Sequence, residues 1–409
     1  MTQRRVAITG IGMVTALGLT REENWTSLVS GTCGVNDVTV FPTEGFRSRI
    51  AAEVPYDRFK TRFTPLQCRR WSRSDQFGMA AAMEAVDESG LSANLYDPTR
   101  IGVLLGACTA DLLRTERYLE TMVTRGIAHA RPSDVWNHFT STPVDIMAAH
   151  FGFEGLRSCI VTACASSTMA IGSAADAVRD GRLDAAIAGG MDAMSRLTFS
   201  GFNAIRVMDP ERCRPFDRAR AGMNLGEGAA MLVLEDLDGA RRRGATIYAE
   251  VAGHSLTCEA FHPTSPEPDG RAIADAIRRA LIDGAIDAEE VDHVNAHGTA
   301  TPHNDRAEAR GIRLVFGERA RRLPVTSVKS MIGHCLGAAG GIETAITALT
   351  IARGVIPPTI HHTETDPECE VDVVANEARQ VPVRCAVSTS LAFGGNDSVL
   401  VLRAVLSCS

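Results

Sequence analysis

The chain has 409 residues, 45% hydrophobic and 22% charged, enough for a large core and two domains' worth of fold. A formal net charge of −7 argues against a general nucleic-acid binder, and no apolar run reaches the about 20 residues that cross a bilayer. Eleven scattered cysteines form no CxxC pair, which points to reduced thiols in a cytoplasmic protein rather than disulfides or a metal site.

In chain order, residues 5–9 alternate as a strand does, and residues 10–18 read as a glycine-rich packing turn whose spacing fails the GxGxxG pattern. The periodicity predicts a helix over residues 72–89, preceded by the basic cluster Arg69, Arg70 and Arg73 around Trp71. A buried strand over 101–105 and an amphipathic helix over 111–125 follow, then a helix over 132–151 in two pieces, interrupted at Pro143.

The apolar run 158–161 enters Val161-Thr162-Ala163-Cys164-Ala165-Ser166-Ser167, and a small-residue helical pattern over 168–179 leaves it. The reading is strand, tight turn and helix, with Cys164 at the turn. A thiol there faces unpaired N–H groups and the positive end of a helix, which favour the thiolate. The commoner alternative for the residue type is a buried structural cysteine.

Next come a strand over 185–188, an irregular stretch over 199–217, a second glycine-rich turn over 222–228 and a strand over 229–234. From residue 247 the pattern starts again, with a strand, a loop to Gly270, a helix to Gly284 and a strand over 291–295. Such alternation predicts an α/β protein, and with no linker its halves, residues 1–245 and 246–409, share one core.

Three polar signatures each lie beside strand-like runs in the second half. Residues 295–301 carry His297, residues 327–334 carry Lys329 and His334, and residues 391–397 carry Phe393. Ligands gather beyond the carboxyl ends of strands in α/β sheets, so these groups could meet Cys164. Either histidine alone is more often structural; their occurrence together with the cysteine turn points to chemistry. Of 42 basic residues only Lys60 and Lys329 are lysine. That singles out Lys329 as a position needing a compact ammonium, while Lys60 lies in a polar loop and has no assigned role.

The combination TACASS, NAHGTAT, SVKSMIGHCLGAAG and FGGN, in that order over nearly the whole chain, resembles the elongating β-ketoacyl-acyl carrier protein synthases of the thiolase superfamily. The resemblance implies a thiolase fold: a duplicated five-layer α-β-α-β-α architecture with a buried catalytic helix in each half, working as a dimer. It implies Cys164 as the acyl-accepting nucleophile, with His297 and His334 as the decarboxylation pair. Lys329 matches the motif lysine, with Glu308 as its charge partner. Thr299 and Thr301 match the hydroxyls that hold phosphopantetheine. Phe393 matches a gating residue whose amide joins that of Cys164 in an oxyanion hole. Arg69, Arg70 and Arg206 match family positions for docking an acyl carrier protein at the tunnel mouth.

The reaction so implied is the decarboxylative condensation of a malonyl thioester with an acyl chain on Cys164. It calls for no metal or redox cofactor, and for no nucleic-acid or membrane partner. Its partners are an acyl carrier protein and a second subunit, either another copy or one resembling a chain-length factor. A non-catalytic chain-length partner would lack the cysteine. A degradative thiolase needs a second cysteine in a glycine-rich C-terminal motif, a setting that neither Cys385 nor Cys408 has. Residues 106–111 lack the glycine pair usual in fatty-acid synthases, and Phe393-Gly394-Gly395-Asn396-Asp397 departs from the usual GGTN form. The first departure resembles the ketosynthase subunits of type II polyketide systems, and the reading is a specialised type II polyketide or polyene enzyme, with fatty-acid elongation as the alternative.

Overall fold

A computed structural model describes residues 3–110, 112–136 and 139–405. Eleven strands form its central sheet. The first five are β1 (Val6–Val14), β2 (Ile101–Gly106), β3 (Arg157–Ile160), β4 (Ala185–Asp192) and β5 (Gly228–Asp236). The second half adds β6 (Ala249–Cys258), β7 (His293–Asn295), β8 (Pro324–Thr326), β9 (Asp372–Val373), β10 (Cys385–Ala392) and β11 (Asn396–Arg403). The helices that matter to the site are α1 (Arg73–Ser89), α2 (Leu112–Arg125), α3 (Thr142–Phe151), α4 (Ser166–Arg179), α5 (Arg196–Ala204), α6 (Arg271–Asp283), α7 (Pro302–Phe316) and α8 (Ala339–Arg353).

The strand order is β9-β8-β7-β10-β11-β6-β1-β5-β4-β2-β3. It repeats about the β1–β6 joint, where Ala7 faces Glu250. Outward from the joint, β1-β5-β4-β2-β3 matches β6-β11-β10-β7-β8, with two antiparallel pairings and then two parallel ones on each side. Three hydrophobic clusters separate five layers. One lies between α1 and α3 and the first half-sheet, one around α4 and α8 between the halves, and one between the second half-sheet and α6 and α7. In α8 every residue from Ala339 to Ile351 is buried, so burial all round rather than an amphipathic stripe marks the middle layer.

Local chemistry explains where elements differ from the expected ones. β1 runs on through Gly10 and Gly12 to Val14, where a turn was expected. A Cβ on those glycines would come within 2.1 and 1.9 Å of the carbonyl oxygens of Ala85 and Ala81. The glycines therefore admit α1 against the strand, and the turn itself lies at Thr15–Gly18. Pro143 falls in the first turn of α3, a position that tolerates its missing N–H, so it starts that helix rather than interrupting one. α5 occupies part of the stretch expected to be irregular. Its glycine, aromatic and β-branched residues weaken the helical signal, while Ser195 caps it by accepting from the Thr198 N–H. α2 begins at Leu112; Asp111, the expected first residue, lies outside the described residues.

Candidate active site

Cys164 lies in a single 3₁₀ turn between β3 and α4 and is 6% exposed. Ala163 beside it has φ 48°, a left-handed conformation that strains an alanine and makes the turn sharp. The turn is held from within: Ser166 Oγ accepts from the Thr162 N–H at 2.9 Å and donates to the Ala163 carbonyl at 2.6 Å. It is also tied to the second half. Ser167 Oγ accepts from the Gly341 N–H at 2.7 Å, and Thr168 Oγ1 lies 2.7 Å from Ser390 Oγ. A Cβ at residue 340 would meet Thr168 Oγ1 at 1.8 Å, so Gly340 lets α8 close on α4.

His334 reaches Cys164 from the opposite half, with Nε2 2.9 Å from Sγ. Its backbone is gripped by the second glycine-rich turn: the His334 N–H donates to the Asn224 carbonyl and the Gly226 N–H donates to the His334 carbonyl. The His297 ring stands edge-on to that of His334, with centroids 5.3 Å apart. Lys329 Nζ lies 3.4 Å from His297 Nδ1. An ammonium there can only donate, so Nδ1 accepts and the ring proton is left on Nε2.

The ion-pair partner of Lys329 is Glu343 on α8, with both side chains buried. The expected partner, Glu308, does other work. It accepts from the His297 and Gly298 N–H groups at 2.8 Å each and from the Thr389 hydroxyl at 2.6 Å. Glu308 thus shapes the backbone that carries His297. Glu343 was discoverable, being the one charged residue between His334 and Arg353. Asp192, at the end of β4, also escaped the sequence reading. It accepts from four backbone N–H groups, of Cys108, Thr109, Ala110 and Gly337, and so joins residues 108–110 to the loop after His334.

Burial dominates the electrostatics. It pushes the Cys164 thiol up to about 12, outweighing the downward pull of Lys329 and of the Phe393 N–H. This corrects the expectation of a resting thiolate: the site is too well closed from water for the helix terminus to prevail. Burial, then Lys329 and His334, hold His297 well below the ordinary histidine range, and burial and Lys329 do the same to His334. Both rings are therefore neutral at pH 7. Donor atoms of Cys164, His297 and His334 lie within 4.8 Å of one another, close enough to hold a metal ion, although the neighbouring ammonium opposes a cation there.

A cavity of about 430 Å³ opens from this centre and is lined by Thr299, Thr301, Phe393 and Arg206. The Thr299 and Thr301 hydroxyls lie 2.9 Å apart, and the Phe393 ring stacks on Phe202 with centroids 5.7 Å apart. The Phe393 N–H faces the Cys164 sulfur. The three arginines expected at one mouth are separated within the chain. Arg206 is exposed on this cavity, whereas Arg69 and Arg70 line a different groove of about 860 Å³ with Trp71, Arg114 and Arg131. Arg114 fixes that groove by donating to the carbonyls of Cys68, Arg69 and Trp71. Among the described residues no helix is long and apolar enough to cross a membrane.

Known proteins resemble the chain over nearly its whole length. Residues 3–240 match the family described as beta-ketoacyl synthase, N-terminal domain, and residues 248–363 its C-terminal domain. The chain is 38% identical to the actinorhodin polyketide beta-ketoacyl synthase 1 of Streptomyces coelicolor, over 98% of this chain and 89% of that one. It is also 38% identical to the 3-oxoacyl-[acyl-carrier-protein] synthase 2 of Coxiella burnetii, over 99% and 100% of the two chains. Among solved structures, the ishigamide ketosynthase/chain length factor superposes with a TM-score of 0.92 at 36% identity, over 99% of this chain and 100% of that one. A type II PKS acyl-carrier protein in complex with its ketosynthase bound to the hexaketide gives 0.92 at 32%, over 98% and 100%.

Proposed function

The chain belongs to the β-ketoacyl synthase family, and on that premise we propose that it condenses malonyl units, carried on an acyl carrier protein, with an acyl chain held on Cys164. The observation that carries this reading is the contact of His334 Nε2 with Cys164 Sγ at 2.9 Å, with His297 edge-on behind it. Cys164 gives its proton to His334 as its sulfur attacks the carrier-bound thioester. The Phe393 and Cys164 N–H groups receive the oxyanion; a donor of this kind contributes on the order of 10²–10³ in rate. Malonyl thioester then enters, loses CO₂, and leaves an enolate oxygen that two neutral N–H donors stabilise. His297 is kept neutral and protonated on Nε2 by Lys329; as the acyl-cysteine forms, the carrier thiolate leaves and takes the proton from His334, which is neutral again. The enolate carbon attacks the acyl group, and a β-ketoacyl thioester two carbons longer departs on the carrier. Thr299 and Thr301 hold the phosphopantetheine arm. The substrates bring the carbon and the thioester, so the reading requires no metal or redox cofactor, and we place the protein in the cytoplasm.

Residues 1–245 and 246–409 form the two units of the fold. The exposed edge of β3 suits a second subunit: it is a terminal strand of the sheet, next to Val161, 53% exposed. Leu119, Val123 and Ile127, 47%, 79% and 69% exposed, add apolar area on and just after α2. The occupant is a second copy or a chain-length-factor subunit, which native mass spectrometry of the co-expressed pair distinguishes.

We favour a specialised type II polyketide or polyene pathway, on the Gly106–Asp111 stretch and the Asn396-Asp397 ending. Fatty-acid elongation is the second reading, supported by the equal identity to the Coxiella synthase. Mass spectrometry of acyl chains trapped on Cys164 with the cognate carrier protein tests both. Chains carrying unreduced or unsaturated units support the first, and fully reduced ones the second. No acyl group on Cys164 overturns the ketosynthase reading.

A further inference from the structure

The turn that carries Phe393 is fastened to the loop beyond β6. Gly394 and Gly395 both have left-handed φ, 87° and 74°, and close the hairpin from β10 to β11. The Glu259 N–H donates to the Gly395 carbonyl, and the Gly394 N–H to the Pro263 carbonyl, at 2.8 Å each. Two carboxyl groups, Glu259 and Asp397, meet on this fastening and line the Cys164 cavity. Glu259 Oε2 accepts from the Glu267 N–H at 2.9 Å. Glu259 Oε1 and Asp397 Oδ2 are buried with no hydrogen-bond partner.

Two buried acceptors facing each other repel unless a proton lies between them, and one proton serves both. We propose that Glu259 and Asp397 share one proton, and that this proton latches the Phe393–Gly395 turn where the Phe393 amide reaches Cys164. The latch rests on the proposed role of that amide and makes Glu259 and Asp397 positioning residues. The GGTN form would put an amide donor at position 397, which needs no proton to bond a carboxylate. The aspartate here donates only while protonated.

The surroundings favour a proton within the pair. The Asp397 carboxyl is pushed up to about 8, by burial first and then by Glu259, with Glu308 on α7 adding to the repulsion. Burial raises Glu259 as well, its bond from the Glu267 N–H opposing and the Glu267 charge assisting. Arg206, His262, His297, His303 and His334 also line the cavity. Below pH 8 the pair keeps its proton and the latch holds. Above it both groups ionise and the turn is released.

The test compares two rates at Cys164 between pH 6 and 9.5: acylation by an acyl-pantetheine thioester, which uses the Phe393 amide, and alkylation by iodoacetamide, which does not. Both are read by mass spectrometry of the Cys164 peptide. From pH 7 to pH 9 the ratio of acylation to alkylation should fall about tenfold more in the native protein than in Asp397→Asn, as a group near 8 titrates. In Asp397→Asn, whose amide donates at every pH, only the change that the thiolate fraction imposes on both forms should remain. Glu259→Gln, which supplies a donor from the other side, should behave alike and carries the test where Asp397→Asn does not fold. An equal fall in the native protein and in both variants overturns the latch. Acyl groups found elsewhere than on Cys164 overturn the ketosynthase reading and the latch with it.

Discussion

Lys329 bridges two buried groups, with Nζ 3.4 Å from His297 Nδ1 on one side and the Glu343 carboxylate on the other. One ammonium thus sets the protonation of a buried histidine and neutralises an acid that burial pushes up to about 7. The two duties are separable by experiment. Lys329→Ala should lose malonyl decarboxylation and destabilise the fold by about 3–5 kcal/mol, because it strands a buried carboxylate. Adding Glu343→Ala should recover much of the stability in urea titrations and none of the CO₂ release. Recovery of both would reduce Lys329 to a structural ion.

The histidines should divide the two half-reactions. His297→Ala should keep acylation of Cys164 within about tenfold of native while CO₂ release falls by about 10²-fold or more. His334→Ala should lose both, because His334, rather than His297, is the histidine in contact with the sulfur. Radiolabelled acyl transfer and ¹⁴CO₂ release measure the two steps independently.

The state of the nucleophile has a pH signature. A thiol pushed up to about 12 is protonated across the working range, so its thiolate fraction rises tenfold for each pH unit. Alkylation of Cys164 by iodoacetamide should therefore climb about tenfold per unit from pH 7 to 9 without a plateau. A plateau near pH 8 would mean that the helix terminus outweighs burial. Cys164→Ala should abolish condensation and leave the melting temperature close to native.

Docking of an acidic carrier protein by a chain of net charge −7 calls for local basic patches. Charge reversal at Arg69 and Arg70 together, and separately at Arg206, should each raise KM for a carrier-bound substrate and flatten its salt dependence. Turnover of a free pantetheine thioester should be unchanged by the Arg69 and Arg70 reversal, since that groove lies apart from the Cys164 cavity. Equal losses on both substrates would show damage to the fold instead.

Much of this molecule was legible in the chain itself. Strand, turn and helix around Cys164, the repeat of elements after residue 247, and the polar signatures of His297, Lys329, His334 and Phe393 are local patterns set by nearby residues. What distance in sequence hides, only packing decided. Whether Lys329 pairs with Glu308 or Glu343 depends on how α8 lies against the one-turn helix Lys329–Ile332, and both acids are equally acidic on paper. Whether Cys164 rests as thiol or thiolate depends on how completely two halves, joined by a contact 170 residues apart, shut out water. Asp192 is one more aspartate until four N–H groups converge on it, and Arg69 and Arg206 are neighbours only in a family pattern. Burial and pairing are sums over residues that the fold brings together, so a motif names the reacting groups while the tertiary structure sets their charge and their partners.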